Sequence, residues 1–230
     1  MATKYPTSDP SPKSALRGVR AATFKLLLST AMELIKQGGH IPSVADIALR
    51  AQVSRATAYR YFPSRGALIS AVMESSLGPV RRLSSDSLSG RQRVLQLFKR
   101  TFPRFKEFEP QMRAAAQLAL EQWALARAGL LDEEPYRRGY RVGILEHALE
   151  PLARALPPAV HQRLHRALSV IYGIEAYIIL KDIWGAPDRE VERTALWMAD
   201  ALIDAALRDA KKAQTPPTSP TGLRQHAVVR

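Results

Sequence analysis

Apolar residues recur along most of this chain at the three- and four-residue spacing of helices buried on one side, and the strict alternation of half-buried strands is missing. The pattern begins with Phe24, Leu27, Leu28, Ala31, Leu34 and Ile35, and Gly38-Gly39 supplies its stop. Pro42-Ser43 opens a short helix with the stripe Val44, Ile47, Ala48 and Ala51, and Asp46 makes its first turn acidic. Ser54 caps another short helix over 55–62. Pro63-Ser64 closes that one and caps the next, which is carried by Leu68, Ile69, Val72 and Met73 and should end near Gly78-Pro79. Longer helices are predicted over 91–108, 110–128, 135–156, 158–184 and 187–212, several with Pro near the start, where its missing N–H does no harm. The predicted fold class is all-α: a compact lobe of short helices followed by a larger region of long apolar ones. Low-complexity ends, 1–17 and 213–230, frame it and are read as disordered.

The capped pair of short helices joined by a tight turn has the helix-turn-helix layout, in which the second helix enters a DNA major groove. Its residue types suit that task. Arg55 and Arg60 bring donors for phosphates or guanine edges, Thr57 a hydroxyl and a methyl, and Tyr59 and Tyr61 phenols that can reach phosphates. Ala56 and Ala58 are small enough to let the helix approach closely. A solvated basic helix in an ordinary helical protein would share the charge but not the two caps.

The segments A-M-E-L-I (31–35), V-A-D-I-A (44–48), A-Q-V-S-R-A-T-A-Y-R-Y-F (51–62) and P-S-R-G-A-L (63–68) resemble the DNA-binding region of tetracycline-repressor (TetR) type regulators over about residues 20–77. The resemblance implies a homodimer on a palindromic operator in double-stranded DNA, with a helix-turn-helix domain over 18–78 and a helical effector-binding and dimerisation domain over 79–212. By position it implies phosphate anchors at Ser43 and Arg65, base or near-base contacts from Arg55, Thr57 and Arg60, backbone contacts from Tyr59 and Tyr61, and Ser54 at the entry of the reading helix. Repression relieved by a small-molecule effector is the family's commoner outcome. One departure stands at the turn: Gln52 occupies a position where the family usually has Gly, so it must accept a left-handed conformation, at about 1–2 kcal/mol, or bend the turn differently.

Charge strengthens the picture. Against 21 acidic residues stand 34 Lys and Arg, a net charge of +13 that favours a polyanionic partner. Lys4, Lys13, Arg17 and Arg20 form a basic arm that can reach a minor groove or phosphates, or act as an ordinary charged tail. The chain has no Cys, which removes disulfides and thiolate chemistry and fits the cytoplasm, and no apolar run reaches the roughly 18 residues of a membrane span. No nucleophile elbow, phosphate loop, dinucleotide fingerprint or paired E-x-x-H is present, so an enzyme is not expected, nor a cofactor. A helical scaffolding or membrane-surface protein that binds polyanions nonspecifically is the alternative.

In the larger region aromatic and polar residues gather on apolar helices: Phe98, Phe102, Trp123, Tyr140, His147, Tyr172 and Glu175. Each alone reads as core or surface; with the effector cavity the resemblance implies, they become the expected pocket lining. His161 and His165 share a helical face, yet no acidic third ligand accompanies them and Arg163 and Arg166 oppose a cation, so no metal site is expected. The final helix, from Val191 to Leu207, is apolar on more than one side, which predicts homodimerisation through the last two helices, with Ala199 and Ala206 facing the partner.

Overall fold

The computed structural model describes residues 18–81, 89–136 and 138–214, all helices and connecting loops with no strand among them. The basic arm up to Arg17 and the tail beyond 214 lie outside the described residues. In chain order the helices are α1 (Val19–Gly38), α2 (Val44–Arg50), α3 (Arg55–Tyr61), α4 (Arg65–Arg81), α5 (Gly90–Glu107), α6 (Glu109–Arg127), α7 (Tyr140–Leu149), α8 (Pro158–Ile171), α9 (Ile174–Ile178) and α10 (Asp188–Gln214). A 3-10 turn (Glu150–Leu152) follows α7, and a π-helical turn (Ile179–Ile183) extends α9.

In the first lobe local chemistry ends each helix. Gly39 closes α1 in the left-handed region at φ 71°, where glycine pays no Cβ penalty. Ser43 and Asp46 form a reciprocal capping box on α2, Ser54 accepts the Thr57 N–H at the start of α3, and Ser64 accepts the Ala67 N–H at the start of α4. Gln52 takes the first of the two conformations open to it, with φ 55°. Its N–H bonds the Leu49 carbonyl at 3.2 Å and the Val53 N–H bonds the Ala48 carbonyl at 3.0 Å, the paired bonds of a Schellman ending. The tight turn is therefore kept, with a side chain in place of the usual glycine.

Three expected boundaries change, each because a neighbour intervenes. The helix expected to stop near Gly78-Pro79 runs through both to Arg81. Pro79 has no N–H for the Ser75 carbonyl one turn back, and α5 packs alongside, where Arg104 Nε donates to the neighbouring Ser76 carbonyl at 2.7 Å. Of the helix expected over 135–156, only Tyr140–Leu149 is α-helical, because the preceding segment is tied across to α6: the Gln122 side chain accepts the Tyr136 N–H at 2.7 Å and donates to Glu133 at 2.9 Å. The helix expected over 158–184 breaks at Tyr172-Gly173. Gly173 is extended, and a Cβ there would collide with the guanidinium of Arg141.

The two lobes share a single apolar core that runs from Leu27, Ile35 and Ile47 through Phe98, Phe102 and Leu118 to Ala199 and Ile203. Polar bonds cross between them as well: Gln111 of α6 donates to the Met32 carbonyl of α1 at 3.0 Å. α10 packs on α5 and α8 with the stripe Val191, Ala195, Ala199, Ile203, Ala206 and Ala210, while Arg91 of α5 is paired with Asp200 and Asp204. Ala199 and Ala206 thus face the chain's own core, contrary to expectation, because small side chains let α10 approach its own neighbours closely. The opposite side of α10 presents Trp197, 70% exposed. No described helix is long and apolar enough to cross a membrane.

Candidate nucleic-acid interface and ligand cavity

α2 and α3 pack at the turn around Gln52, and burial of Ala58 and Phe62 orients α3 against α1. Burying that side turns the other outward: Arg55, Ala56, Tyr59 and Arg60 are exposed, Tyr59 by 46%. Ser54 and Thr57 are linked at the entry of the helix, hydroxyl to hydroxyl at 2.9 Å, and Ser43 is exposed but already occupied by its capping box. Tyr61 is turned the other way. Its ring packs near Phe24 and its hydroxyl donates to the Arg20 carbonyl at 3.3 Å, so it braces α3 on α1. The outward surface is thus narrower than the sequence reading made it, and beside it stand exposed Arg50, which that reading passed over, and Gln52, which it weighed only for its backbone.

Arg65, at the first turn of α4, is engaged by the larger region. Its guanidinium donates to Glu121 of α6 at 2.8 Å and lies 3.5 Å from Glu133, whose carboxylate also accepts the Arg65 backbone N–H at 3.1 Å. The same segment continues to Tyr136 and Arg138, which belong to the wall of a cavity.

That cavity lies between α4, α5, α6 and α7, has a volume of about 90 Å³ and is partly open to solvent. Met73, Leu77 and Val80 of α4 form one side, and Phe105, Met112 and Ile144 much of the rest. Of the expected lining, Tyr140 and Tyr172 are there. Thr101 donates to the Leu97 carbonyl at 2.8 Å, so its single proton is used and the 2.8 Å contact with Tyr172 has the phenol as donor. Phe98 and Phe102 stack behind the wall in the aromatic core, with ring centroids 5.8 Å apart, and Phe105 takes the place in the lining. Trp123 is 66% exposed on α6, and His147 is an exposed residue of α7, 3.5 Å from Glu150. Neither belongs to the cavity, since each falls on the solvent face of its helix.

Glu175 stands beside the cavity rather than in its lining. Both oxygens accept from Arg141, at 2.9 and 2.8 Å, and one also accepts from Arg138 at 2.6 Å. Burial alone would push its carboxyl up, but the charge and hydrogen bonds of Arg141, with Arg138, hold it below its ordinary value. Sequence reasoning missed both arginines. The signal was the run R-R-G-Y-R around Tyr140, which becomes meaningful only when folding brings it to Gly173 and Glu175. His161 and His165 point at the Leu149 and Val142 carbonyls of α7, at 3.4 and 2.9 Å, and no group of three or more metal-ligating side chains gathers among the described residues.

Comparisons with known proteins agree with this architecture. Residues 27–72 match the family of bacterial regulatory proteins, tetR family. A tetR-family transcriptional regulator from Streptomyces coelicolor superposes with a TM-score of 0.56 at 21% identity, over 88% of this chain and 93% of that one. A TetR transcriptional regulator from Rhodococcus sp. RHA1 gives 0.50 at 17% identity, over 81% and 97%. No curated protein sequence matches. Residues 27–72 thus carry a segment similar to the tetR family of bacterial regulatory proteins, and the chain as a whole shares the fold of these two solved regulators.

Proposed function

We propose that the protein is a repressor that binds a palindromic operator as a homodimer and is released from it by a small-molecule effector. Residues 18–78 form the reading domain and 79–212 the effector and dimerisation domain, with the boundary inside α4 rather than at a break. Ser54, Arg55, Thr57, Tyr59 and Arg60 face the major groove, and Ser43 sits by the backbone. Tyr61 acts through its brace on α1.

The observation that carries this reading is that α4 belongs to both regions: its first turn holds Arg65 beside the reading lobe, and its last turns wall the cavity with Met73, Leu77 and Val80. A ligand that fills the cavity presses on α4 and on the segment 133–141, and so acts on the Glu121–Arg65–Glu133 contact. In this account Arg65 is a phosphate anchor when freed and a tether when held by the two carboxylates. Release then requires only that the ligand bind the tethered arrangement more tightly than the DNA-competent one. The second copy docks on the exposed side of α8 and α10, where Val170 and Trp197 lie open.

Selection from a random duplex library, followed by anisotropy titration of the recovered sequence and a scrambled control, tests the reading. A palindromic winner with half-sites about one DNA turn or more apart supports it. Equal affinity for the scrambled duplex, with affinity set by salt alone, returns the polyanion-binding alternative.

A further inference from the structure

The cavity wall combines an apolar interior with a one-signed charge. Among its described lining residues are two guanidiniums, Arg138 and Arg141, and no carboxylate. Glu175, outside the lining, is paired with both, so the three groups together leave one positive charge unbalanced. The hydroxyls of Thr101 and Tyr172 have their protons committed within the wall. The guanidiniums do not: each carries five N–H donors, and among the described residues Arg138 makes one hydrogen bond and Arg141 three, two to Glu175 and one to the Ser169 carbonyl at 3.1 Å.

Gly173 makes this arrangement possible, since any Cβ there would displace the Arg141 guanidinium from the lining. Glu175, kept ionised by its partners, holds the two arginines together in the absence of a ligand. A planar anion entering from the open side can take the remaining donors with the geometry that suits a guanidinium best. Its apolar remainder then lies against Met73, Leu77, Phe105 and Ile144.

We infer that the effector is an amphipathic organic carboxylate, its head received by Arg138 and Arg141 and its apolar body directed onto α4. The inference rests on the proposed ligand-responsive function for its biological meaning but not for its test, because binding is read without DNA.

The probes are decanoate, 1-decanol and decylammonium, titrated below their aggregation limits into the full-length protein by calorimetry. Decanoate should bind at least about tenfold more tightly than the alcohol, and the ammonium most weakly. Arg138→Gln changes an exposed residue with a single bond and should narrow the preference for decanoate severalfold without altering the melting temperature. Arg141→Gln should erase the preference while leaving decanol binding in place, and Arg141→Lys should keep part of it. Equal affinity for the three probes, preference for the cation, absence of binding by any of them, or an undiminished preference in a folded Arg138→Gln protein would overturn the inference. Release of the selected operator by decanoate is measured separately; binding without release would leave the ligand class standing and remove the effector role.

Discussion

The lobe of α1 to α3 and the region of α5 to α10 use arginine in opposite ways. In the first, Arg55 and Arg60 project from a two-turn helix with no carboxylate partner among the described residues, in a protein of net charge +13. In the second, Arg91, Arg113, Arg138, Arg141 and Arg163 are each paired with Asp or Glu. Positive charge is left open where a polyanion can approach and balanced where helices must pack, since unpaired charges near a core carry a desolvation cost. Arg65 stands between the two, on the first turn of α4, with its charge spent on the larger region.

The largest effect should come from separating two copies of the chain. Trp197→Glu places a charge on the exposed side of α10 and should give monomers in sedimentation, with operator affinity falling on the order of a hundredfold or more as half-site avidity is lost. A dimeric Trp197→Glu protein would move the interface elsewhere. Ala199→Glu is no substitute, because its side chain would enter the chain's own core. Next, Arg55→Ala and Tyr59→Ala should each cost about 1–3 kcal/mol of operator binding at fixed salt, with helical content by circular dichroism unchanged. Wild-type affinity in both would mean that the open arginines of α3 are only a solvated surface.

Smaller effects test how locally the first lobe is specified. Ser54→Ala should lower unfolding free energy by about 1 kcal/mol through loss of the α3 cap, and Gln52→Gly should raise it by about the same amount by removing a left-handed side chain. Chemical denaturation of each variant measures both, and a destabilised Gln52→Gly protein would show that the glutamine side chain contributes something beyond its backbone. Least of all, Glu121→Gln and Glu133→Gln should strengthen operator binding by a few-fold at most, about 1 kcal/mol or less for partly exposed pairs. Unchanged or weaker binding would show that Arg65 is a structural tether with no part in the DNA equilibrium.

Much of the first lobe is written within a few residues of where it acts. Ser43 with Asp46, Ser54 with Thr57, and Ser64 with Ala67 are all contacts three residues apart, so the helices they start were legible in the chain, as were the stop at Gly39 and the outward Arg55 and Tyr59. Helical periodicity likewise determined the all-α class and the apolar run from Val191 to Leu207, because burial along a helix must repeat every three or four residues. Only the tertiary structure decided which side Ala199 faces, that α4 continues through Pro79, that Tyr61 turns to α1, and that Trp123 and His147 stay in solvent. It also decided the cavity's chemistry. Arg141 meets Glu175 across 34 residues of sequence and Arg65 meets Glu121 across 56. Contacts of that reach depend on how whole helices pack, which no local pattern encodes, so the outward face of α3 was visible from the residues and the lining of the cavity was not.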